Sequence, residues 1–333
     1  MNRLLDTFEK WTILSTMLPE RLAKLLKNQK YHLIAKHSAI KRCRWLNESL
    51  AHNRTCYKQQ FYGIKSHRCI QMTPTVAQCD LRCSFCWRIQ SGDLDIKWDE
   101  MASINWDDPN TIIDGCIKTQ KRLVSGYKGN PNVNIHKIRE ASDPKHVAIS
   151  LAGEPTLYPF LNELIELFTK RGLTTFLVSN GTNPDALKQL EKEPTQLYIS
   201  LCAPDEETFK TVCRPQIPHA WQKIGQTLSL LSTFTCPTVL RLTLTKNLNL
   251  KDSEGFARLM HKANPTYVEP KAYMHVGFSR LRLKFENMPS HEEIKQFAMK
   301  LANQTSYNLL QEAVESRVVL LSRLEKPIML AAN

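Results

Sequence analysis

Three cysteines with the spacing C-x3-C-x2-C constrain this 333-residue chain more than any other feature. Cys79, Cys83 and Cys86 follow the apolar stretch Ile70–Thr75, which predicts a strand that leads into a cysteine loop. A cubane iron-sulfur cluster has four irons and normally takes four thiolates. A loop with three thiolates therefore predicts a cluster in which one iron is open to another kind of ligand. A structural zinc loop is the alternative, because spacing alone does not exclude zinc.

Apolar runs alternate with helical stretches along the rest of the chain. Six runs predict buried strands: Ile70–Thr75, His146–Ala152, Leu173–Val178, Gln196–Leu201, Thr238–Leu244 and Tyr267–Met274. Strands that alternate with helices build a parallel sheet or barrel. In such barrels the active site lies at the carboxyl ends of the strands.

Polar motifs stand where three of these strands end. Gly153–Thr156 (Gly-Glu-Pro-Thr) follows the second strand, Ser179 and Asn180 follow the third, and Ser200 lies at the end of the fourth. A plain strand-to-helix turn with Pro155 at the first helical position is the alternative for the first motif. Ser and Asn are also ordinary residues at strand ends.

The cysteine spacing, with the aromatic Phe85 before the third cysteine, resembles that of radical S-adenosylmethionine (SAM) enzymes. The resemblance implies an α/β fold with a partial (β/α)6 TIM-like barrel, and a [4Fe-4S] cluster whose open iron chelates SAM. Reduction of that cluster cleaves SAM to a 5′-deoxyadenosyl radical. The cluster ligands it implies are Cys79, Cys83 and Cys86, and the SAM-contacting residues are Gly153, Glu154, Pro155, Thr156, Ser179, Asn180 and Ser200.

A second group of cysteines lies upstream at equal intervals, C-x12-C-x12-C, formed by Cys43, Cys56 and Cys69. A lone free cysteine is more often a small buried hydrophobic residue. That is the prediction for the four later cysteines, Cys116, Cys202, Cys213 and Cys236. A disulfide framework does not fit, because no secretory signal precedes the upstream group.

The run Cys43–Cys86 and the segment Lys271–Leu283 (KAYMHVGFSRLRL) resemble the tRNA 4-demethylwyosine synthases. This resemblance implies that Cys43, Cys56 and Cys69 bind an auxiliary [4Fe-4S] cluster. It implies that Lys58 forms a Schiff base with pyruvate, for which the amine must be neutral and its pKa lowered. The implied reaction joins N1-methylguanosine, beside the anticodon of tRNA(Phe), to carbons 2 and 3 of pyruvate, giving 4-demethylwyosine.

The balance of charge agrees with a nucleic-acid substrate. The net charge is +13 and the sequence pI is about 9.3, so phosphate is attracted at neutral pH. An excess of basic residues more often forms only a solvated surface. Here, however, the basic residues are clustered in Lys24–Lys36, Lys41–Arg44, Lys118–Lys128 and Arg280–Lys284. Tyr31, His32, Trp45 and Tyr127 are interleaved with these clusters as candidates for stacking on bases.

The pattern predicts three regions. Residues 1–69 form an N-terminal extension, helical and amphipathic over Met1–Lys41, with an auxiliary-cluster segment at 42–69 that caps the mouth of the barrel. Residues 70–288 form the core barrel. Residues 289–333 form a short C-terminal extension, with a helix over Ser290–Asn303 and a strand over Arg317–Leu324.

No apolar run approaches the roughly 20 residues that a bilayer requires, so we expect a cytoplasmic monomer without a membrane anchor. Electrons are expected from a separate donor such as a ferredoxin or flavodoxin. Two rival classes remain to be compared. A methylthiotransferase has wider cysteine spacing and a C-terminal RNA-binding module, for which residues 289–333 are too few. A zinc-bound RNA-binding protein does not explain Gly153–Thr156.

Overall fold

The computed structural model describes residues 18–131 and 133–330. Ten strands form one sheet in the order β1-β2-β3-β4-β5-β6-β7-β8-β10-β9. They are β1 Tyr31–Ile34, β2 Ser38–Lys41, β3 Cys69–Thr73, β4 His146–Ile149, β5 Thr174–Ser179, β6 Gln196–Ser200, β7 Thr238–Leu244, β8 Tyr267–Ala272, β9 Asn308–Ala313 and β10 Val318–Ser322. Strands β3 to β8 run parallel in chain order, and an antiparallel hairpin extends each side. The six parallel strands confirm the predicted partial (β/α)6 barrel, which does not close because β1 and β9 are edges.

The helices fill the connections between strands. They are α1 Glu20–Asn28, α2 Arg44–Ala51, α3 Tyr57–Tyr62, α4 Pro109–Ser125, α5 Ile135–Ala141, α6 Leu161–Lys170, α7 Pro184–Lys188, α8 Glu206–Cys213, α9 Ala220–Leu230, α10 Ser253–Ala263 and α11 His291–Gln304. Helix α11 begins with a capping box between Ser290 and Glu293. None of the helices in the described ranges has the length and apolar character that crossing a membrane requires.

Side chains alternate between the two faces of each parallel strand. On one face, Val147, Leu177, Ile199 and Leu240 belong to the main core, together with side chains of α4, α6, α9, α10 and α11. On the other face, Phe176, Tyr198, Val239 and Tyr267 form a second core with α3. This second face lines the inside of the partial barrel, which we call the lumen.

The prediction of helix over Met1–Lys41 is wrong for its second half. Residues 1–17 lie outside the described ranges, and α1 follows Pro19 as the pattern indicates. Residues 31–41 instead form the hairpin of β1 and β2, because Lys30 and Ala35 have positive φ (66° and 49°), which no helix accommodates. Pairing of Ile40 with Met72 then gives β3 a neighbour.

Residues 42–69 cover the opposite end of the barrel from the one predicted. Cys69 is the first residue of β3. The backbone N–H of Lys65 donates to Nε2 of His146, the first residue of β4, at 3.1 Å. Tyr62 packs on Tyr267, the first residue of β8, with ring centroids 5.4 Å apart. The segment therefore closes the lumen where the strands begin, and the cysteine loop after β3 lies where they end.

The C-terminal region contains the expected helix, α11, and the expected strand, β10. Strand β9 was not predicted, and it pairs with β10. Because β2 pairs with β3 and β10 pairs with β8, the sheet continues across residues 69 and 288. The division of the chain at these two residues stays a prediction.

His146 ties the segment 42–69 to the barrel and is expected to make stability depend on pH. Its Nδ1 hydrogen bonds to Thr174 Oγ1 at 2.6 Å, while Nε2 accepts from Lys65. Burial, with the charges of Arg68, His67 and Lys65, lowers the pKa of His146 to about 4. Between about pH 6.5 and pH 4, the unfolded chain therefore binds a proton at His146 that the folded chain does not bind. The free energy of unfolding falls as the pH falls through this range. Between pH 7 and pH 5 we expect a loss of about 2 kcal/mol.

Denaturant unfolding at both pH values measures this effect. In His146→Gln the loss between pH 7 and pH 5 is expected to shrink by most of that amount. His136→Gln, which changes an exposed histidine on α5, is the control and should keep the wild-type dependence. An unchanged pH dependence in His146→Gln would assign it to other groups.

Candidate active site

The three cysteines of the loop after β3 line a cavity at the carboxyl ends of the strands. The cavity has a volume of about 160 Å³ and is open to solvent. Its lining includes Cys79, Cys83, Cys86, Trp87, Arg88, Ser150, Gly153, Glu154, Val178, Ser179, Asn180 and Ser200. Of the predicted SAM-contacting residues, all but Pro155 and Thr156 line this cavity.

Two arginines hold the cysteine loop. Arg88 is buried and donates to Glu100 at 2.6 Å and to the carbonyl of Leu81 at 3.0 Å. Arg282, from the segment after β8, donates to Asp93 at 2.6 Å and to the carbonyl of Cys86 at 2.5 Å. The charge of Arg88 acts on Cys79 and Cys86 and favours their thiolate forms, against burial, which raises the pKa of both thiols. Arg88 was not among the predicted site residues, although it lies two residues beyond Cys86.

The Gly-Glu-Pro-Thr loop packs directly on the chain that leads into the cysteines. The backbone N–H of Glu154 donates to the carbonyl of Gln78 at 2.9 Å. Gly153 has φ of +70°, and a Cβ at this position would overlap the carbonyl oxygens of Thr75 and Gln78. A side chain is therefore excluded here by both the conformation and the space.

Gly153→Ala is expected to separate this loop from the cysteine loop. We expect a loss of about 3 kcal/mol of stability and at least a tenfold loss of SAM cleavage, because the cavity wall moves. Gly172→Ala is the matched control: its φ is +74° but no atom lies within 4 Å of the added Cβ. It should cost only about 1 kcal/mol from φ strain and leave SAM cleavage intact. Unfolding curves and 5′-deoxyadenosine assays compare the two, and equal effects would contradict the packing argument.

Glu154 joins the polar residues of the rim. Its carboxylate accepts from the Thr156 hydroxyl at 2.8 Å, the Ser179 hydroxyl at 2.8 Å and the Asn180 backbone N–H at 2.7 Å. Burial, and then the nearby charge of Asp80, raises the pKa of Glu154 to about 7. A cationic amino group in the cavity would favour the ionised carboxylate.

Asp80 was not predicted as a site residue, and it holds the rim residues Asn180 and Thr182 that follow β5. Its carboxylate accepts from Asn180 Nδ2 at 2.6 Å and from the Thr182 hydroxyl. Its position next to Cys79 was the available signal. The structure thus brings the strand-end motifs after β4 and β5 together with the cysteine loop.

Lys58 lies inside the lumen, on the first turn of α3. Its Nζ is 4.3 Å from the ring centroid of Phe176 and 4.2 Å from that of Tyr198. Burial, and then the charge of Arg241, lowers the pKa of Lys58 to about 8. Val178 and Ser200, two residues further along β5 and β6, line the cavity at the cysteine loop. Two residues of a strand span roughly 6.6 Å, so the amine lies about one strand repeat from that cavity.

The upstream cysteines gather around Lys58. Cys43 and Cys56 immediately precede α2 and α3, and Cys69 begins β3. Each of the three thiols interacts electrostatically with Lys58. Burial raises the pKa of Cys56 and of Cys69 to about 12. The set places three thiols and one amine at the amino end of the lumen.

A buried charge network beside Lys58 was missed by the sequence analysis. Glu269 on β8 is fully buried and accepts from Arg241 at 2.9 Å, Tyr62 at 2.7 Å, Tyr198 at 3.2 Å and Tyr57 at 3.3 Å. Burial also lowers the pKa of Lys271, two residues beyond Glu269, to about 8. Charged residues within predicted buried strands were the signal. The network holds both ends of α3 and the Tyr198 ring, and so it fixes the position of Lys58.

Comparisons with known proteins agree with this arrangement. Residues 73–260 match the model of the radical SAM superfamily, and residues 262–323 match the model described as wyosine base formation. The solved structure of TYW1 with a lysine-pyruvate adduct bound is similar, with a TM-score of 0.85 and 40% identity over 94% of this chain and 100% of that one.

Two curated relatives are both called S-adenosyl-L-methionine-dependent tRNA 4-demethylwyosine synthase. The protein of Pyrococcus abyssi is 48% identical and is matched over 92% of this chain and 90% of its own. The protein of Methanocaldococcus jannaschii is 42% identical, over 94% and 99% respectively.

The fold, the cysteine loop and these matches define a radical SAM enzyme, a class that uses SAM and a [4Fe-4S] cluster. The chain belongs to the tRNA 4-demethylwyosine synthase family. The family resemblance read from the sequence is confirmed.

Proposed function

We propose that this enzyme condenses N1-methylguanosine, next to the anticodon of tRNA(Phe), with carbons 2 and 3 of pyruvate to form 4-demethylwyosine. The observation that carries the proposal is the buried amine of Lys58, which lies between a cavity with three cysteines and a second set of three cysteines. One amine next to both sets suits a reaction that joins a radical centre to a carbonyl substrate.

Lys58 is the residue proposed to form the Schiff base with pyruvate. With a pKa of about 8, ~10% of the amine is neutral at pH 7, compared with ~0.03% for an ordinary lysine. Only the neutral amine attacks a carbonyl carbon. A related protein has been solved with a lysine-pyruvate adduct, and Lys58 supplies an amine suited to the same adduct here.

Cys79, Cys83 and Cys86 are proposed to bind the SAM-cleaving cluster, and Cys43, Cys56 and Cys69 the auxiliary [4Fe-4S] cluster. With SAM bound, the first cluster supplies the radical that initiates the chemistry. Gly153, Glu154, Ser179, Asn180 and Ser200 then hold SAM, with Pro155 and Thr156 shaping the loop. Glu154 pairs with the amino group of SAM, while Arg88 offsets the negative charge of the thiolates.

The lumen supplies the arrangement that the coupling requires. A pyruvyl group on Lys58 would face the cavity across about one strand repeat, or roughly 6.6 Å. The methylated guanine has to leave its stack to enter that space. Once it is held there, proximity directs the radical carbon to carbon 2 of the bound pyruvate rather than to other groups. The carboxyl group of pyruvate would then leave with the unpaired electron, which restores the C=N bond, and transfer of that imine carbon from Lys58 to the exocyclic amine of guanine would free the lysine. The electrons are proposed to come from an external donor such as a ferredoxin or flavodoxin.

Mass spectrometry of nucleosides tests the proposal. The reconstituted protein is incubated without oxygen with SAM, a strong reductant, carbon-13 pyruvate and tRNA(Phe) that carries N1-methylguanosine. The proposed function predicts a new nucleoside that contains two labelled carbons. SAM cleavage with unchanged N1-methylguanosine would contradict the proposed substrates and leave the class intact.

A further inference from the structure

The hairpin of β1 and β2 and the end of α4 bring together basic residues that are far apart in the sequence. Arg122 of α4 hydrogen bonds to His32 of β1 at 3.3 Å. Burial, with the positive charges of Arg122, Arg42 and Lys30, lowers the pKa of His32. Lys30, Arg42 and Arg122 are exposed. These residues and Lys41 form one positive surface, here called the hairpin surface.

The cations of the hairpin surface lack acidic partners. Within residues 18–131 and 133–330, no carboxylate oxygen lies within 4.0 Å of the charged groups of Lys30, Lys41, Arg42 or Arg122. A concentration of unbalanced cations creates a local potential that attracts a polyanion.

Aromatic rings are interleaved with these cations. Arg42 lies over the ring of Tyr127, with 5.4 Å between the guanidinium carbon and the centroid. Lys41 Nζ lies 4.5 Å from the centroid of Tyr31 and 4.9 Å from that of Trp87. Because rings replace carboxylates as neighbours, the cations stay available to an incoming phosphate while their side chains are held in place.

Lys41 connects the hairpin surface to the active site. Lys41 is half-buried at the end of β2, and Trp87, under its amine, lines the cavity together with the three loop cysteines. Tyr31 stacks on Trp87 with 6.1 Å between ring centroids. A phosphate bound at Lys41 would therefore lie beside the wall of the cavity at Trp87.

We propose that the hairpin surface binds the phosphate backbone of the substrate RNA and that Lys41 contacts the phosphate nearest the reacting nucleotide. The proposal deepens the proposed function, on which it rests for the identity of the RNA. An RNA strand fits better than a protein partner, because unpaired cations and rings suit phosphates and bases. Lys41 is a positioning residue, since it holds the RNA next to the cavity without touching the reacting atoms.

The salt dependence of tRNA binding tests the proposal. Dissociation constants of fluorescent tRNA(Phe) carrying N1-methylguanosine are measured by anisotropy from about 50 to 200 mM salt, with holoenzyme of verified iron content and circular dichroism. Loss of one phosphate contact flattens the slope of log K against log salt by about 0.9. If the variant and the wild type bind equally at 1 M salt, this change in slope makes the variant about fivefold weaker than the wild type at 0.15 M salt.

Lys41→Met and Arg122→Met are each expected to show this change, and the double variant about twice the change in slope. Lys41→Arg keeps the charge and should keep the wild-type slope. Lys300→Met is the matched control, because it removes one exposed charge from α11. Arg122 lies far in sequence from the cysteines, so its variant covers the case in which Lys41→Met fails to fold.

The proposal would be overturned if the salt slopes of tRNA binding by Lys41→Met and Arg122→Met equalled that of Lys300→Met. This holds whether or not the variants form the labelled nucleoside. A wild-type protein that binds tRNA with a steep slope but makes no labelled nucleoside would contradict the proposed function. In that case, the altered slopes of the two variants would still support RNA binding at the hairpin surface. The two failures are therefore distinguishable.

Discussion

Lys58→Ala is expected to abolish formation of 4-demethylwyosine while SAM cleavage continues. The variant lacks the amine for the Schiff base, so pyruvate is no longer held covalently, and we expect a loss of at least about a thousandfold. The cysteines and the residues that line the SAM cavity are untouched. Nucleoside mass spectrometry measures the product, and chromatography of 5′-deoxyadenosine measures SAM cleavage in the same reaction.

Lys271 offers a matched control in the same lumen. It too is a lysine whose pKa burial lowers to about 8, but its Nζ donates to the carbonyl of Ser316 at 2.5 Å. Lys271→Met should therefore keep measurable product formation, and Lys58→Arg, which keeps a positive charge but forms no Schiff base, should keep none. Full activity in Lys58→Ala would remove the Schiff-base role.

Cys43→Ala and Cys79→Ala are expected to separate the two halves of the reaction. Cys79→Ala should abolish SAM cleavage, because it removes one of the three thiolates proposed to hold the cluster that chelates SAM. Cys43→Ala should lose product formation to the same extent as Lys58→Ala, yet keep SAM cleavage. Each variant should bind about half of the wild-type iron, since one of the two proposed clusters is lost.

Iron and sulfide analysis with the two activity assays checks this division. Cys116→Ala changes a fully buried cysteine of α4 outside both sets, and should keep the iron content and both activities. If Cys43→Ala loses SAM cleavage as completely as Cys79→Ala, the assignment of two separate clusters is wrong.

The parallel strands were predictable because a buried strand gives a continuous apolar run. Thr238–Leu244 was predicted with the bounds that the structure shows. The rim followed from the same logic, since polar residues after parallel strands meet at one edge. Glu154, Ser179 and Asn180 do meet there.

The N-terminal hairpin was not predictable from the helical spacing of its apolar residues. The turns at Lys30 and Ala35 have positive φ, and the hairpin they bound pairs through β2 with β3, about thirty positions further along the chain. The placement of residues 42–69 was wrong for a related reason. Ligand types are visible in a sequence, but which end of the barrel they cover depends on tertiary contacts such as that of Tyr62 with Glu269.

The charged residues of the lumen have a local signal in the sequence. Arg241, Glu269 and Lys271 interrupt the apolar runs of β7 and β8. Buried charges in strands are paired or functional. Their partners, the tyrosines of α3 and β6, became apparent only from the structure.

Trapping of the pyruvate adduct tests the central claim most directly. The holoenzyme is incubated with carbon-13 pyruvate, reduced with borohydride, digested and analysed by peptide mass spectrometry, with Lys58→Arg treated in parallel. We expect a labelled, reduced pyruvyl group on the peptide that contains Lys58 and none in the variant. Label on Lys271 or another lysine, or no adduct in protein that retains both clusters, would contradict the placement of pyruvate on Lys58.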